Sequence, residues 1–347
     1  MTRKFKDKKL TISILIPCHN EEVSIAACLE SCIKQSRPAE EIIVINDGST
    51  DNSLAIIKAF LPKIKIVNVH EATGNKSYAQ EIGLKYVNTD IFIATDGDTL
   101  LDKDFVKNIE KDFYKKEVAA VGGYVKSLRY NWLTSCRAYD YCIGQNLNKL
   151  AQDLMNFIFV IPGAAGAFRK KVFDKYIKFN HDTLTEDLDF TYELHKKGMK
   201  IKFDTKAIVY TQDPANLKSY LNQMRRWYGG GWQNLIKHSD IILIHPIKTL
   251  ELSLIYIEGF VFSLLFFLLP ILNIYFFANI LLLYFMTILV LSIIAAIKEK
   301  RSDILLVPFF YLLLIYINAW VFLEQFIKEV ILRKKNLKWF TPDRIKM

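Results

Sequence analysis

A mostly parallel α/β sheet with helices on both faces, followed by membrane helices, is the architecture this sequence predicts. Two observations carry it. Between residues 11 and 95, short apolar runs alternate with helical stretches across short links, which is the pattern of parallel strands covered by helices. After about Leu250 the composition shifts to Leu, Ile, Phe, Tyr and Val, which divides a soluble-looking part from a membrane part. Length sets the scale, since 347 residues suffice for one large domain or two with a full core.

Residues 11–16 read as a strand, followed by Pro17-Cys18-His19-Asn20-Glu21-Glu22 and a helix to about residue 35. Residues 41–45 repeat the device, with Asn46-Asp47-Gly48-Ser49-Thr50-Asp51 leading into a helix through residue 60. A third strand at 64–69, a helix at 77–86 and a fourth strand at 91–95 complete the alternation. In an open α/β sheet the ligand crevice lies beyond the carboxyl ends of the strands, where these acidic and amide residues fall. Asp47 reads equally as a helix cap or as an acceptor for a base or ribose. Glu21 and Glu22 fit a first helical turn, where acids complement the dipole.

The fourth strand ends in Asp96-Gly97-Asp98. Two aspartates one residue apart can turn their oxygens toward one hard cation, and such a cation holds a diphosphate. A solvated Asp-Gly turn is the plain alternative. Lys76 is a phosphate partner or a solvated loop charge.

Further along, a helix is expected at 104–116 and a strand at 118–125. Residues 128–159 mix Trp132, Tyr139, Tyr141, Leu147 and Leu150 with polar residues, an amphipathic pattern that favours core packing over the membrane surface. The small residues of Ile161-Pro162-Gly163-Ala164-Ala165-Gly166-Ala167 suit either a sugar floor or a tight turn. Thr185-Glu186-Asp187-Leu188-Asp189 opens a helix to His195 and offers a general base. Gln223, Arg226 and Trp227 share one helical face, and Gly229-Gly230-Gly231 are expected to end that helix. Arginine suits phosphate oxygens and tryptophan suits the apolar face of a sugar ring.

The charge balance, 46 Lys and Arg against 36 Asp and Glu, gives +10. Its terminal clusters, Arg3, Lys4, Lys6, Lys8 and Lys9, then Arg333, Lys334, Lys335 and Lys338, favour lipid headgroups over nucleic acid, because the second follows an apolar stretch directly. Cys18, Cys28, Cys32, Cys136 and Cys142 show neither metal spacing nor a disulfide framework, which suits a reducing compartment. The six histidines lack ligand spacing and pair with no nucleophile.

In their order, Pro17-Cys18-His19-Asn20-Glu21, Asn46-Asp47-Gly48-Ser49, Asp96-Gly97-Asp98, Gly163 to Arg169, Thr185-Glu186-Asp187 and Gln223-x-x-Arg226-Trp227 resemble the inverting family 2 glycosyltransferases. More narrowly, the chain resembles the membrane synthases of poly-N-acetylglucosamine, hyaluronan, chitin and cellulose. The resemblance implies the GT-A nucleotide-sugar-binding fold, a UDP-sugar donor and a manganese or magnesium ion. By the same carry-over, Pro17, Asn20, Glu21, Asp47 and Lys76 belong to the donor site, and Asp96 and Asp98 hold ribose, metal and diphosphate. Asp187, beside Glu186, is the implied base, and Gln223, Arg226 and Trp227 grip diphosphate and acceptor. Trp339-Phe340-Thr341-Pro342-Asp343-Arg344 looks like the ending of poly-N-acetylglucosamine synthases. The sequence departs from the family in showing no membrane pair ahead of the catalytic domain and in carrying Gln80-Glu81 after Lys76.

Three apolar stretches, 250–269, 274–297 and 304–327, approach the roughly 20 residues a span needs. With a cytoplasmic catalytic domain, three true spans put Arg333 to Lys335 outside, against the positive-inside tendency, so the first stretch is expected to re-enter or lie in the interface. The expected organisation is a cytoplasmic glycosyltransferase domain at 1–240, a membrane region of two or three helices at 241–330 and a basic tail at 331–347. The expected protein is a multi-pass cell-membrane enzyme that adds a hexose or N-acetylhexosamine to a growing β-linked polysaccharide. Transfer of one sugar to a lipid acceptor is the alternative, and a nucleotide-sugar-binding scaffold without turnover is the alternative of another class. Two or three helices are too few to enclose a polymer channel, so a partner subunit or homo-oligomer is expected for that task.

Overall fold

A computed structural model describes residues 9–334 and Leu337. The basic residues Arg3 to Lys8, Lys335 and Lys338, and the ending Trp339 to Arg344, lie outside the described residues.

The strands are β1 (Ile12–Cys18), β2 (Glu41–Asp47), β3 (Lys65–Val69), β4 (Ile91–Ala94), β5 (Thr99–Leu101), β6 (Val118–Ser127), β7 (Gly166–Arg169) and β8 (Lys200–Thr211). They form one sheet in the order β3-β2-β1-β4-β7-β6-β8-β5. The first four are parallel, as the alternation predicts. β7 then enters antiparallel between β4 and β6, β8 runs parallel to β6, and β5 closes the edge antiparallel to β8. The sheet is therefore mixed, with its parallel half holding the N-terminal motifs.

Both faces are covered because each strand alternates its side chains. Ile12, Ile14 and Ile16 of β1 pack with α1 (Ile25–Ile33), α2 (Ser53–Lys58) and, after α3 (Lys76–Leu84), α4 (Phe105–Phe113). Leu15, facing the other way, joins Ala79 and Leu84 of α3. All five cysteines are buried free thiols, and Cys28 and Cys32 sit in the first of these cores. The first helix starts later than the sequence suggests, at Ile25, so Glu21 and Glu22 precede it and are not first-turn acids.

The amphipathic stretch at 128–159 becomes α5 (Trp132–Ile143), a π-helical stretch (Gly144–Lys149) and α6 (Leu150–Leu154). After β7 come α7 (Lys170–Tyr176) and α8 (Glu186–Lys196), and β8 leads to α9 (Leu217–Lys237). Leu133, Cys136, Ala138 and Tyr139 of α5 form a core with Tyr220 and Met224 of α9 and with the C-terminal helices, as core packing requires. Leu147, within the π-helical stretch, and Leu150 and Leu154, after it, stay exposed.

The glycines of α9 do not end it. The helix runs on to Lys237 because Gly229, Gly230 and Gly231 are where three neighbours press closest. A Cβ on Gly230 would stand 2.5 Å from Thr185 Oγ1, one on Gly231 2.7 Å from Tyr256 Oη, and one on Gly229 3.0 Å from Gln325 Oε1. Tertiary approach, not a helix stop, accounts for the triple glycine.

A short α10 (Asp240–Ile244) precedes α11 (Leu250–Leu272), α12 (Ile274–Glu299) and α13 (Val307–Phe326). These last three segments are long and apolar enough to cross a membrane, the third counted as Ser302–Ile331. The stretch expected to re-enter or lie in the interface forms one continuous helix of 23 residues.

Candidate active site

The carboxyl ends of β1, β2 and β4 open on a cavity of about 740 Å³. All the candidate residues line it except Asn20. Asn20 braces the rim instead: its side-chain oxygen accepts from Thr50 N at 2.8 Å, and its own N donates to Ser49 Oγ at 3.1 Å. Glu21 N donates to Ser53 Oγ at 2.8 Å, which ties the end of β1 to the start of α2. Asp47 does not cap that helix. Its carboxylate accepts from Thr73 N at 2.9 Å and Thr73 Oγ1 at 2.7 Å, so it fastens the end of β2 to the loop leading to Lys76.

Lys76 is the hinge of the charged end. Its Nζ lies 2.5 Å from Asp96 and 3.4 Å from Glu186, joining the carboxylate after β4 to the first turn of α8. Burial works against that charge, but Asp96, Glu186 and Asp187 outweigh it and hold the ammonium above its usual range. The solvated-loop reading of Lys76 does not hold.

Asp187 sits at the centre. Its Oδ2 accepts from Gly163 N at 3.1 Å, and its Oδ1 accepts from Leu188 N at 2.9 Å. Burial, then the Glu186 charge, pushes its carboxyl up to about 6, while Lys76 and Arg226 pull the other way. The Gly163 run is thus a turn that also touches the site: a Cβ there would stand 3.2 Å from Lys76 Nζ and 3.4 Å from Asp187 Oδ2. Asp189 faces away, bonded to His238 at 2.5 Å and paired with Lys237 at 2.9 Å, so it anchors α8 to α9.

Gln223, Arg226 and Trp227 bring α9 to the far wall. That wall also holds residues the motifs do not mark: Tyr141, Gln145, Lys149 and Gln152 from the α5 to α6 segment, and Ile255 from α11. Their spacing of three to four residues is helical, and π-helical turns recur at functional sites. Burial lowers Lys149 to about 8, against the opposing charge of Asp187. The cavity therefore runs from the strand ends to the first membrane helix.

Asp96 and Asp98 supply hard oxygen donors, and a magnesium-type ion commonly takes one or two carboxylates with substrate phosphates completing its shell. No group of three or more His, Cys, Asp or Glu suited to a metal occurs among the described residues, and the two carboxylates share the cavity with the Lys76 ammonium.

The family model described as glycosyltransferase like family 2 matches residues 10–230, from the start of β1 into α9. The chain belongs to this family. Among curated proteins, the poly-beta-1,6-N-acetyl-D-glucosamine synthase of Staphylococcus epidermidis is 29% identical over 247 residues, covering 70% of this chain and 59% of that protein. The synthase of the same description from Staphylococcus aureus strain COL is 28% identical over 236 residues, covering 65% and 56%. The chain thus spans less than two thirds of the length of these relatives. Among solved structures, the mannosyltransferase PcManGT from Pyrobaculum calidifontis, in complex with GDP-Man and Mn2+, aligns with a TM-score of 0.55 at 18% identity, over 66% of this chain and 64% of that one. For this family 2 chain that likeness establishes the fold, which is of the expected GT-A type.

Proposed function

We propose that the chain is a membrane-bound inverting glycosyltransferase that moves a hexose or N-acetylhexosamine from a UDP-sugar onto a growing β-linked polysaccharide. What supports the reading is one cavity lined by Asp96, Asp98, Asp187, Gln223, Arg226 and Trp227, in which Asp187 feels the charges of both Lys76, the ion-pair partner of Asp96, and Arg226. The sequence relatives, described as poly-beta-1,6-N-acetyl-D-glucosamine synthases, favour N-acetylglucosamine as the sugar.

The donor binds at the strand ends, with Asp47 toward the nucleoside and Lys76 toward the diphosphate. Asp96 and Asp98 would hold a manganese or magnesium ion there, which supplies positive charge against the diphosphate. An acceptor hydroxyl attacks the anomeric carbon from the face opposite UDP. The new C–O bond forms as the bond to the diphosphate oxygen breaks, the hydroxyl proton passes to Asp187, and UDP leaves with the electron pair. A carboxyl held near 6 is ionised at neutral pH yet basic enough to accept that proton. Arg226 adds positive charge near the departing diphosphate, and Trp227 offers its indole to the acceptor ring.

The catalytic domain is cytoplasmic in this reading, and the polymer leaves past α11. Cysteine labelling of a position next to Arg333 from each side of the membrane tests the topology. The activity test incubates the full chain in lipid nanodiscs with labelled UDP-sugars and manganese and sizes the product. Long polymer supports the reading, a single glycolipid replaces it with single transfer, and no product returns the chain to a binding scaffold.

A further inference from the structure

Behind the acceptor wall lies a charged cluster that no motif marks. Arg137, on α5, is 4% exposed and does not line the cavity, whereas Asp140, Tyr141, Asp213 and Trp227 around it do. Its Nη1 donates to Asp140 Oδ2 at 2.9 Å and its Nε to Asp213 Oδ1 at 3.3 Å, an oxygen that also accepts from Tyr141 Oη at 3.1 Å. Asp140 in turn accepts from Tyr311 of α13. Two carboxylates thus hold Nη1 and Nε and set the guanidinium plane, while the buried Nη2 has no hydrogen-bond partner, and the central carbon lies 4.8 Å from the ring centroids of both Tyr141 and Trp227.

We propose that Arg137 is a positioning residue for the acceptor: it holds the Trp227 indole in place by stacking against it, so that the rest of the ring faces the sugar. The inference rests on the acceptor role of Trp227 proposed above. A buried cation over an indole is among the stronger cation–π arrangements, and the planar fork of arginine lets two carboxylates set its orientation. A tryptophan that stacks on a flexible chain gains from being fixed beforehand, because less freedom is lost when the sugar arrives. The same chain of contacts, Tyr311 to Asp140 to Arg137 to Trp227, joins a membrane helix to the acceptor wall.

The test uses the full chain in nanodiscs, UDP-N-acetylglucosamine as donor and a β-1,6-linked N-acetylglucosamine tetrasaccharide as acceptor. Arg137→Met is expected to raise the acceptor KM by about tenfold while UDP binding stays within about twofold, and Arg137→Lys to keep part of the affinity. Because Arg137 acts through Trp227, the double variant R137M/W227A is expected to be no worse than Trp227→Ala alone. Additive losses, or an equal loss of UDP binding, would overturn the proposal. A second arm does not depend on turnover: in protein labelled with 5-fluorotryptophan, the Trp227 fluorine line, assigned with Trp227→Phe, moves in Arg137→Lys while the other lines stay. An unmoved line overturns the contact. If the wild-type chain transfers no sugar at all, the functional reading fails and takes the acceptor role with it, and the fluorine arm then decides only whether Arg137 holds Trp227.

Discussion

The two ends of the cavity are made of different material. The donor end is built from strand termini, where Asp47 is the buried last residue of β2 and Asp96 and Asp98 follow β4 in the short link to β5, so the sheet sets their positions. The acceptor end is built from helix faces of α5, α9 and α11, whose placement depends on how helices pack. Strand ends give fixed charge, whereas helix faces give an adjustable surface. A fold that keeps one nucleotide chemistry and varies the acceptor gains from this division.

The largest expected effect falls at the donor end. Asp98→Asn should abolish metal-dependent transfer and weaken UDP binding in the presence of manganese, measured by titration with and without the ion. If Asp98→Asn binds UDP normally with manganese, the donor end is not organised around that carboxylate.

Packing gives the next effect. Gly230→Ala places a methyl group 2.5 Å from Thr185 Oγ1, so it should displace the start of α8 and cost about 1–3 kcal/mol of stability. Thermal melting of the nanodisc-embedded protein measures this, and turnover should fall with it because Thr185 leads directly into Glu186 and Asp187. Unchanged melting and turnover would mean that α9 does not set the base.

The pH dependence sharpens the same point. The Asp187 carboxyl is raised to about 6 by burial, so kcat/KM should fall as pH drops below that value and level off above it. The stability sign runs opposite. An acid whose folded pKa exceeds its unfolded value favours the folded state when protonated, and that advantage is lost as pH rises from near 4 through about 6. Asp187→Asn should therefore raise the melting temperature at pH 8 and leave it nearly unchanged at pH 4. The smallest effect belongs to the far wall: Lys149→Met should change the acceptor KM by only a few-fold, with UDP binding unaltered.

The donor end was legible in the sequence because a strand is a short apolar run and its end is marked by the residues that follow. The pairs around Asp47 and Asp96 could be placed on one rim from alternation alone. Less of the acceptor end was legible. β8 escapes a sequence reading because its apolar alternation, Ile201 and Phe203 then Ala207 and Val209, is interrupted by Asp204-Thr205-Lys206 where the register shifts. β7 hides in a run of small residues that reads as a turn. The glycines of α9 look like a helix stop, and only the approach of Thr185, Tyr256 and Gln325 explains them. Arg137 and Lys149 carry no local signal, because their roles depend on residues brought from β8, α9 and α13.

The central claim is that Asp187 takes the acceptor proton at the meeting point of the two ends. Titrating UDP onto wild-type protein and Asp187→Asn, and measuring transfer from a labelled UDP-sugar by both, tests it most directly. The account predicts equal UDP affinity within about twofold and a loss of transfer of about 10²–10⁴-fold. Transfer by Asp187→Asn at the wild-type rate would contradict it.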